Sequence, residues 1–183
     1  MTKIAVMFAD GFEEVEALTT VDLLRRAGYD VDMVSVNEVP EVTGSHKIKI
    51  TADSVIDGFD FDAVDMIILP GGMPGTLNLG KTKKLTDAII KFSNEGKRLG
   101  AICAAPTVFG SLGILNGRKA CCYPEMEDGL TGATPTFDNV TVDGNIITSR
   151  GVGTAIDFAL TIISEISGAE ASASLAEGIV YKK

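Results

Sequence analysis

The chain opens with a short apolar run, Lys3-Ile-Ala-Val-Met-Phe8, and then changes period. From about Glu13 to Ala27 apolar residues recur at helical spacing, and Val31 to Val36 reads as a second extended run. The alternation continues through Met66-Ile-Ile-Leu69, a helix near Thr82 to Asn94, and Leu99 to Ile102. Strand runs alternating with helices of this length are the pattern of βαβ units. Continuous apolar runs such as Met66 to Leu69 fit strands covered on both faces, as in a parallel sheet between two helical layers. The expected fold is therefore α/β and doubly wound, with residues 1–183 as one domain.

Two segments break the parallel rhythm. Between Val42 and Ile56 polar and apolar residues alternate, as in Lys47-Ile-Lys-Ile-Thr51, which predicts a half-exposed antiparallel ribbon appended to the sheet. Val140-Thr-Val142 and Asn145 to Thr148 flank Asp143-Gly144, a favoured two-residue hairpin turn. After Gly151 an amphipathic helix carries Ile156, Phe158, Ala159, Ile162, Ile163 and Ile166, and stops at Gly168. Lys119 to Tyr123 reads as strand-like, and Glu125 to Phe137, rich in Gly, Thr and Pro, reads as loop.

In open α/β sheets ligands bind beyond the carboxyl ends of the strands. Four segments follow such ends: Ala9 to Glu16, Pro70 to Gly75, Cys103 to Pro106, and Ser149 to Gly153. Cys103 is the candidate nucleophile, because a strand ends on it and a Pro-started helix pattern begins at once. The free amides of a helix's first turn carry partial positive charge, so this position is expected to favour a thiolate over a thiol. Cys121 and Cys122 are adjacent and poorly placed to bridge each other, and they read as reduced packing thiols.

Glu16 is its candidate partner. On the helical wheel it falls between Leu23 and Ala27, inside the arc of Ala17, Val21 and Leu24, which predicts burial. Desolvation would raise its pKa and keep it protonated near neutrality, able to donate a hydrogen bond to a thiolate. Asp10, Glu13 and Glu14 are read as ordinary acids at a helix start. The glycine pair Gly71-Gly72 lets a ligand approach the backbone, and the Gly72 and Ala104 amides are candidates for binding a developing oxyanion.

Charge and composition narrow the function. Asp and Glu number 25 against 16 Lys and Arg, a net charge of -9 with no basic stripe, which argues against nucleic acid as a partner. The first apolar stretch is too short for a membrane span and Asp10 interrupts it, so no membrane partner is expected and cytoplasmic residence is the default. A single histidine, His46, and the lack of Cys-x-x-Cys disfavour catalytic zinc. The glycine pair falls short of a dinucleotide fingerprint and no phosphate loop is present, so no cofactor is expected. His46, in the ribbon, reads as a surface or interface residue.

Five segments together resemble the DJ-1/PfpI (ThiJ) superfamily, and within it the DJ-1-like branch, nearly end to end. They are Ala9-Asp-Gly-Phe-Glu-Glu-Val-Glu16, Leu24-Arg-Arg-Ala-Gly28, Leu69-Pro-Gly-Gly72, Ala101-Ile-Cys-Ala104 with Pro106, and Thr148-Ser-Arg-Gly151 with Gly153-Thr154. The resemblance implies a flavodoxin-like fold, usually a homodimer, with Cys103 reactive on a nucleophile elbow and protonated Glu16 touching it. It also implies that the Gly72 and Ala104 amides form the oxyanion pocket, with Gly71 and Tyr123 as further candidates for binding oxyanion or substrate.

One departure is Tyr123, standing before Pro124 where family members usually carry histidine. A phenol can hydrogen-bond a substrate oxygen but is a poor general base at neutral pH, which disfavours a protease-like Cys/His pair. A second is His46, where DJ-1-like relatives can carry arginine near the subunit interface. The activity implied is cofactor-independent action on reactive 2-oxoaldehydes such as methylglyoxal, either free (glyoxalase III type) or as adducts on proteins (deglycase type). In that scheme Cys103 forms a hemithioacetal and Glu16 shuttles a proton. The alternative is a non-enzymatic oxidative-stress sensor or redox-regulated chaperone working through a Cys103 sulfinate. A PfpI-type peptidase or amidotransferase-like hydrolase ranks third, weakened by Tyr123.

Overall fold

The computed structural model describes residues 1–182. Strand β1 (Lys3–Phe8) leads through helix α1 (Glu14–Arg26) to β2 (Asp30–Ser35), followed by the ribbon β3 (Glu41–Thr43) and β4 (Lys49–Thr51) and the short β5 (Ser54–Val55). β6 (Met66–Leu69), helices α2 (Gly75–Lys81) and α3 (Lys83–Glu95), β7 (Arg98–Ile102) and α4 (Pro106–Ser111) come next. The last part holds β8 (Lys119–Ala120), β9 (Thr134–Pro135), β10 (Val140–Asp143), β11 (Ile146–Ser149), α5 (Ala155–Ser167) and α6 (Ala169–Gly178).

Seven strands form one sheet in the order β10-β11-β7-β6-β1-β2-β5. β2, β1, β6, β7 and β11 are parallel neighbours, and counted among themselves they run 2-1-3-4-5, the flavodoxin-like order. The chain reverses direction across the sheet between β1 and β6, so the loops after these strands open a crevice at the carboxyl edge.

Successive residues of each strand point to opposite faces, and both faces are buried. Ile4, Val6 and Phe8 of β1 meet Val21 and Leu24 of α1 and Phe158 and Ile162 of α5. Ala5 and Met7 face the other way, toward a core that includes Leu85, Ile89 and Phe92 of α3 and Phe109 of α4. A Cβ on Gly100 of β7 would stand 3.1 Å from Phe158 Cζ, so glycine at that position lets the aromatic ring lie close against the strand.

Several sequence expectations shift. The β3-β4 ribbon is antiparallel but forms its own two-stranded sheet, and β5, parallel to β2, extends the main sheet instead. The hairpin turn is Gly144-Asn145 rather than Asp143-Gly144, because Asp143 still pairs with Ile146 and Gly144 takes the positive φ of 60°. The strand expected at Lys119 to Tyr123 ends at Ala120, and it pairs with β9 inside the stretch read as loop. α2 and α6 gave no periodic signal. α6 is built from small residues, none of them buried, and lies on α5, where Ser172 Oγ donates to the Leu160 carbonyl at 2.8 Å.

The separate ribbon is tied to the first loop by hydrogen bonds. The Gly11 amide donates to the Thr43 carbonyl and the Ser45 amide to the Phe12 carbonyl, both at 2.8 Å. Buried Glu14 adds the strongest tie, accepting from the His46 amide at 2.7 Å and from Ser45 Oγ at 3.2 Å, with His46 Nδ1 at 2.9 Å. Burial pushes the Glu14 pKa up, but the bonds from the His46 side chain and from the His46 and Ile48 amides prevail and hold it at about 2. A depressed carboxyl pKa gives stability that is present above the ordinary value of 4.5 and lost as pH falls toward 2. Glu14→Gln should therefore destabilise the fold by about 1–3 kcal/mol at neutral pH, since a buried bonded charge is being replaced. In urea titrations the gap from wild type should close on acidification, and a gap independent of pH would contradict the assignment.

Candidate functional site

Cys103 follows directly on the last residue of β7 with φ 65°, a left-handed conformation that costs a non-glycine residue about 1–2 kcal/mol. Its neighbours hold it there. Its amide donates to the Ser149 carbonyl at the end of β11 (3.0 Å), and its carbonyl accepts from the Tyr123 amide (2.7 Å). The loop after β6 presses on it from a third side, where a Cβ on Gly71 would lie 2.6 Å from Cys103 Cβ and 2.7 Å from Glu16 Oε2. Gly71 is thus required by packing, and its neighbour Gly72 by both conformation and packing, with φ 92° and a Cβ that would collide with the Glu13 nitrogen.

α1 carries Glu16 into the same place. The side chain is fully buried, as the helical wheel predicts, and Oε2 accepts from the Gly71 amide at 3.0 Å. Oε1 is buried with no hydrogen-bond partner among the described residues. Burial lifts the Glu16 pKa to about 7, against the lowering effect of bonds with Cys103 and Gly71, and the charge of Glu13 adds to the rise. At neutrality the carboxyl is therefore divided between its two protonation states.

The expected preference for a thiolate is corrected in part. α4 begins only at Pro106 and is six residues long, so Cys103 lies before it rather than in its first turn. Burial, then the charge and hydrogen bond of Glu16, push the thiol up to about 12, while the Ala104 and Gly72 amides pull the other way. Two of the raising influences come from an ionised Glu16. When Glu16 keeps its proton those two influences fall away, leaving burial to raise the thiol against the pull of the Ala104 and Gly72 amides. The two groups thus act as a pair holding one proton between them.

Tyr123 is half-exposed, its amide bonded to the Cys103 carbonyl. His46 lies in the β3-β4 turn with its side chain 69% exposed, bonded to Glu14 and Ser45 rather than to the cysteine. Glu13, Glu14 and His46 bring one donor atom each within 4.8 Å of one another, but those donors are engaged in fastening the ribbon. Cys121 and Cys122 are buried, and the Cys121 amide donates to Thr148 Oγ1 at 3.0 Å. Burial pushes the Cys122 thiol up to about 12. Sequence reasoning assigned no role to the Ser149 carbonyl or to Gly151, although the position of both just after a strand singles out their segment.

A parallel sheet of flavodoxin order, with a strained cysteine just after a strand at its carboxyl edge and a buried acid beside it, defines a class of flavodoxin-like α/β proteins with a cysteine at the sheet's carboxyl edge. The chain belongs to the DJ-1/PfpI family, whose pattern matches residues 2–165. Among its relatives, Protein DJ-1 homolog B of Arabidopsis thaliana is 39% identical over 176 residues, which are 96% of this chain and 40% of that protein. The chain thus spans less than half the length of the Arabidopsis homologues it matches. The glutathione-independent glyoxalase DJR-1.2 of Caenorhabditis elegans is 34% identical over 173 residues, 93% of this chain and 91% of that protein. The structure of oxidized Toxoplasma gondii DJ-1 superposes with a TM-score of 0.96 at 34% identity, covering 100% of both chains. No helix among the described residues is long and apolar enough to cross a membrane.

The raised carboxyl pKa sets a pH dependence of stability. Between pH 4.5 and about 7 the native state holds a proton at Glu16 that the unfolded chain has lost, so this contribution is complete below 4.5 and disappears as pH rises through 7. Glu16→Gln has no proton to lose there. From pH 4 to 8.5 wild type should lose about 3 kcal/mol relative to the variant, a change readable from urea unfolding at the two pH values. Equal changes in both proteins would contradict the assignment.

Proposed function

We propose that the Cys103-Glu16 site converts reactive 2-oxoaldehydes such as methylglyoxal to 2-hydroxy acids without glutathione, and that it also acts on their early adducts with proteins. The observation that carries this reading is Glu16, a buried carboxyl whose Oε1 has no hydrogen-bond partner among the described residues, beside a thiol on a strained turn. Thiolate Sγ attacks the aldehyde carbon, Glu16 gives its proton to the resulting alkoxide, and a hemithioacetal forms. The Gly72 and Ala104 amides stabilise the negative charge on sulfur before the attack, and the neighbouring carbonyl oxygen as charge develops on it.

Glu16, now a carboxylate, takes the proton from the former aldehyde carbon and passes it to the ketone oxygen, giving an enediol, and then carries the proton of the hemithioacetal hydroxyl to the adjacent carbon. The ketone is reduced and the hemithioacetal carbon oxidised within one molecule, giving a thioester. Water cleaves that bond, releasing lactate and restoring the thiol. No external oxidant, reductant or histidine is needed, so Tyr123 in place of the family's usual histidine does not stop the sequence. The name of the Caenorhabditis relative supports the substrate class. A homodimer, as the family resemblance implies, belongs to the same reading.

The test is lactate formation from methylglyoxal in the absence of glutathione. Wild type should turn over, Cys103→Ser should show none, and Glu16→Gln should lose at least about 10²-fold, the usual size of a general acid-base contribution. Undiminished turnover by Cys103→Ser would refute the reading. A second reading, an oxidant sensor, draws on the same amides and acid, which suit a Cys103 sulfinate. It expects mass spectrometry after mild peroxide to find Cys103 modified before Cys121 or Cys122, and earlier oxidation of either buried thiol would count against it.

A further inference from the structure

Gly71 and Gly151 both border the Cys103 site, yet they are glycine for different reasons. A side chain at Gly71 would collide with Cys103 and Glu16. A Cβ on Gly151 would stand 3.4 Å from Tyr123 Cδ2, 3.8 Å from Tyr123 Cε2 and 3.9 Å from Glu16 Oε1, all ordinary van der Waals distances. The Gly151 backbone is extended, at φ 161°, which any residue adopts. Neither crowding nor conformation demands glycine there.

The consequence of glycine at 151 is an open space one methyl group in size, bounded by the edge of the Tyr123 ring and by the one unpartnered oxygen of the buried acid. The segments bordering that space also hold the main chain of Cys103, since Ser149, two residues earlier, binds its amide and Tyr123 binds its carbonyl. Its wall is fixed. Thr154 Oγ1 accepts from the Gly151 amide at 3.1 Å and the Thr154 amide donates to the Gly151 carbonyl at 2.9 Å, while the Thr154 and Ser149 hydroxyls lie 2.7 Å apart. A buried oxygen without a partner is a costly feature unless a ligand supplies the missing bond.

We propose that the slot between Tyr123, Gly151 and Glu16 Oε1 receives the second carbonyl carbon of the substrate and its substituent, and that Gly151 and Tyr123 set the size limit on that substituent. The inference deepens the 2-oxoaldehyde reading and rests on it for the choice of substrates. Glu16 Oε1 meets the polar edge of the dicarbonyl, the methyl of methylglyoxal occupies the volume beside Gly151, and the Tyr123 ring closes the far side. Bulkier substituents are restrained by that ring rather than by the nucleophile.

The test compares glyoxal, methylglyoxal and phenylglyoxal on wild type, Gly151→Ala and Tyr123→Ala. Each is read by product formation and by the protection each dicarbonyl gives Cys103 against iodoacetamide, a measurement that does not depend on turnover. Filling the slot with one methyl should lower kcat/KM for methylglyoxal relative to glyoxal by at least about 10-fold, the scale on which a single methylene is discriminated in a fitted pocket. Protection should change in the same order. Tyr123→Ala should move the ratio of phenylglyoxal to glyoxal the other way, by about 5-fold or more, and it serves as the independent probe should the Gly151 variant fail to fold.

If wild type forms no product but the protection order shifts as stated, the slot stands and the enzymatic reading falls. Selectivity unchanged within about 2-fold in both variants, by both readouts, would overturn the slot while leaving the enzymatic reading to its own assay.

Discussion

The structure around the crevice is organised by one unfavourable act, the burial of a carboxyl group against a thiol. Glu16 is fully buried in a protein of net charge -9, with Glu13 three residues earlier raising its proton affinity further. Such a group is tolerated only where its proton or its charge is met by fixed donors. Gly71 supplies an amide to Oε2, and Cys103 supplies the other contact. Remove the acid and the thiol loses its proton partner, while burial still raises it. Remove the thiol and the acid has a single protein donor.

That pairing requires three chain segments to meet within a few ångströms, and the sheet topology makes it possible. The reversal between β1 and β6 places the start of α1 beside the loop after β6, and β7 delivers Cys103 alongside. The left-handed turn at Cys103 is held from two directions, by the Ser149 carbonyl and the Tyr123 amide. Strain of about 1–2 kcal/mol in that turn is small against the bonds and packing that impose it. The separate ribbon then secures the first loop through Glu14 and His46. Two acids two residues apart on one helix end at opposite extremes: Glu14, richly bonded, at about 2, and Glu16, poor in donors, at about 7.

Much of this was legible in the residues because period and position carry it. The two-faced strand Met66-Ile-Ile-Leu69, the helical arc enclosing Glu16 and the strand-to-helix turn at Cys103 are local patterns, and the family resemblance joined them into one site. What stayed hidden depends on contacts distant in sequence. The detachment of the β3-β4 ribbon from the sheet, the fastening of His46 to Glu14 and the slot at Gly151 follow from three-dimensional neighbours that no spacing encodes. α6 was missed because its small residues make no apolar stripe. The thiolate expectation rests on helix amides and a protonated Glu16, whereas α4 starts only at Pro106 and burial, with the charge of an ionised Glu16, raises the thiol.

The most direct measurement is the rate of Cys103 alkylation by iodoacetamide as a function of pH, with the site of modification confirmed by mass spectrometry. If Cys103 and Glu16 share one proton, the rate should rise with the first ionisation of the pair near pH 7 and then level off, because the remaining proton is held until about pH 12. A wild-type rate that climbs tenfold per pH unit from pH 6 to 10 with no plateau, as an isolated buried thiol would show, would contradict the shared proton and the chemistry built on it.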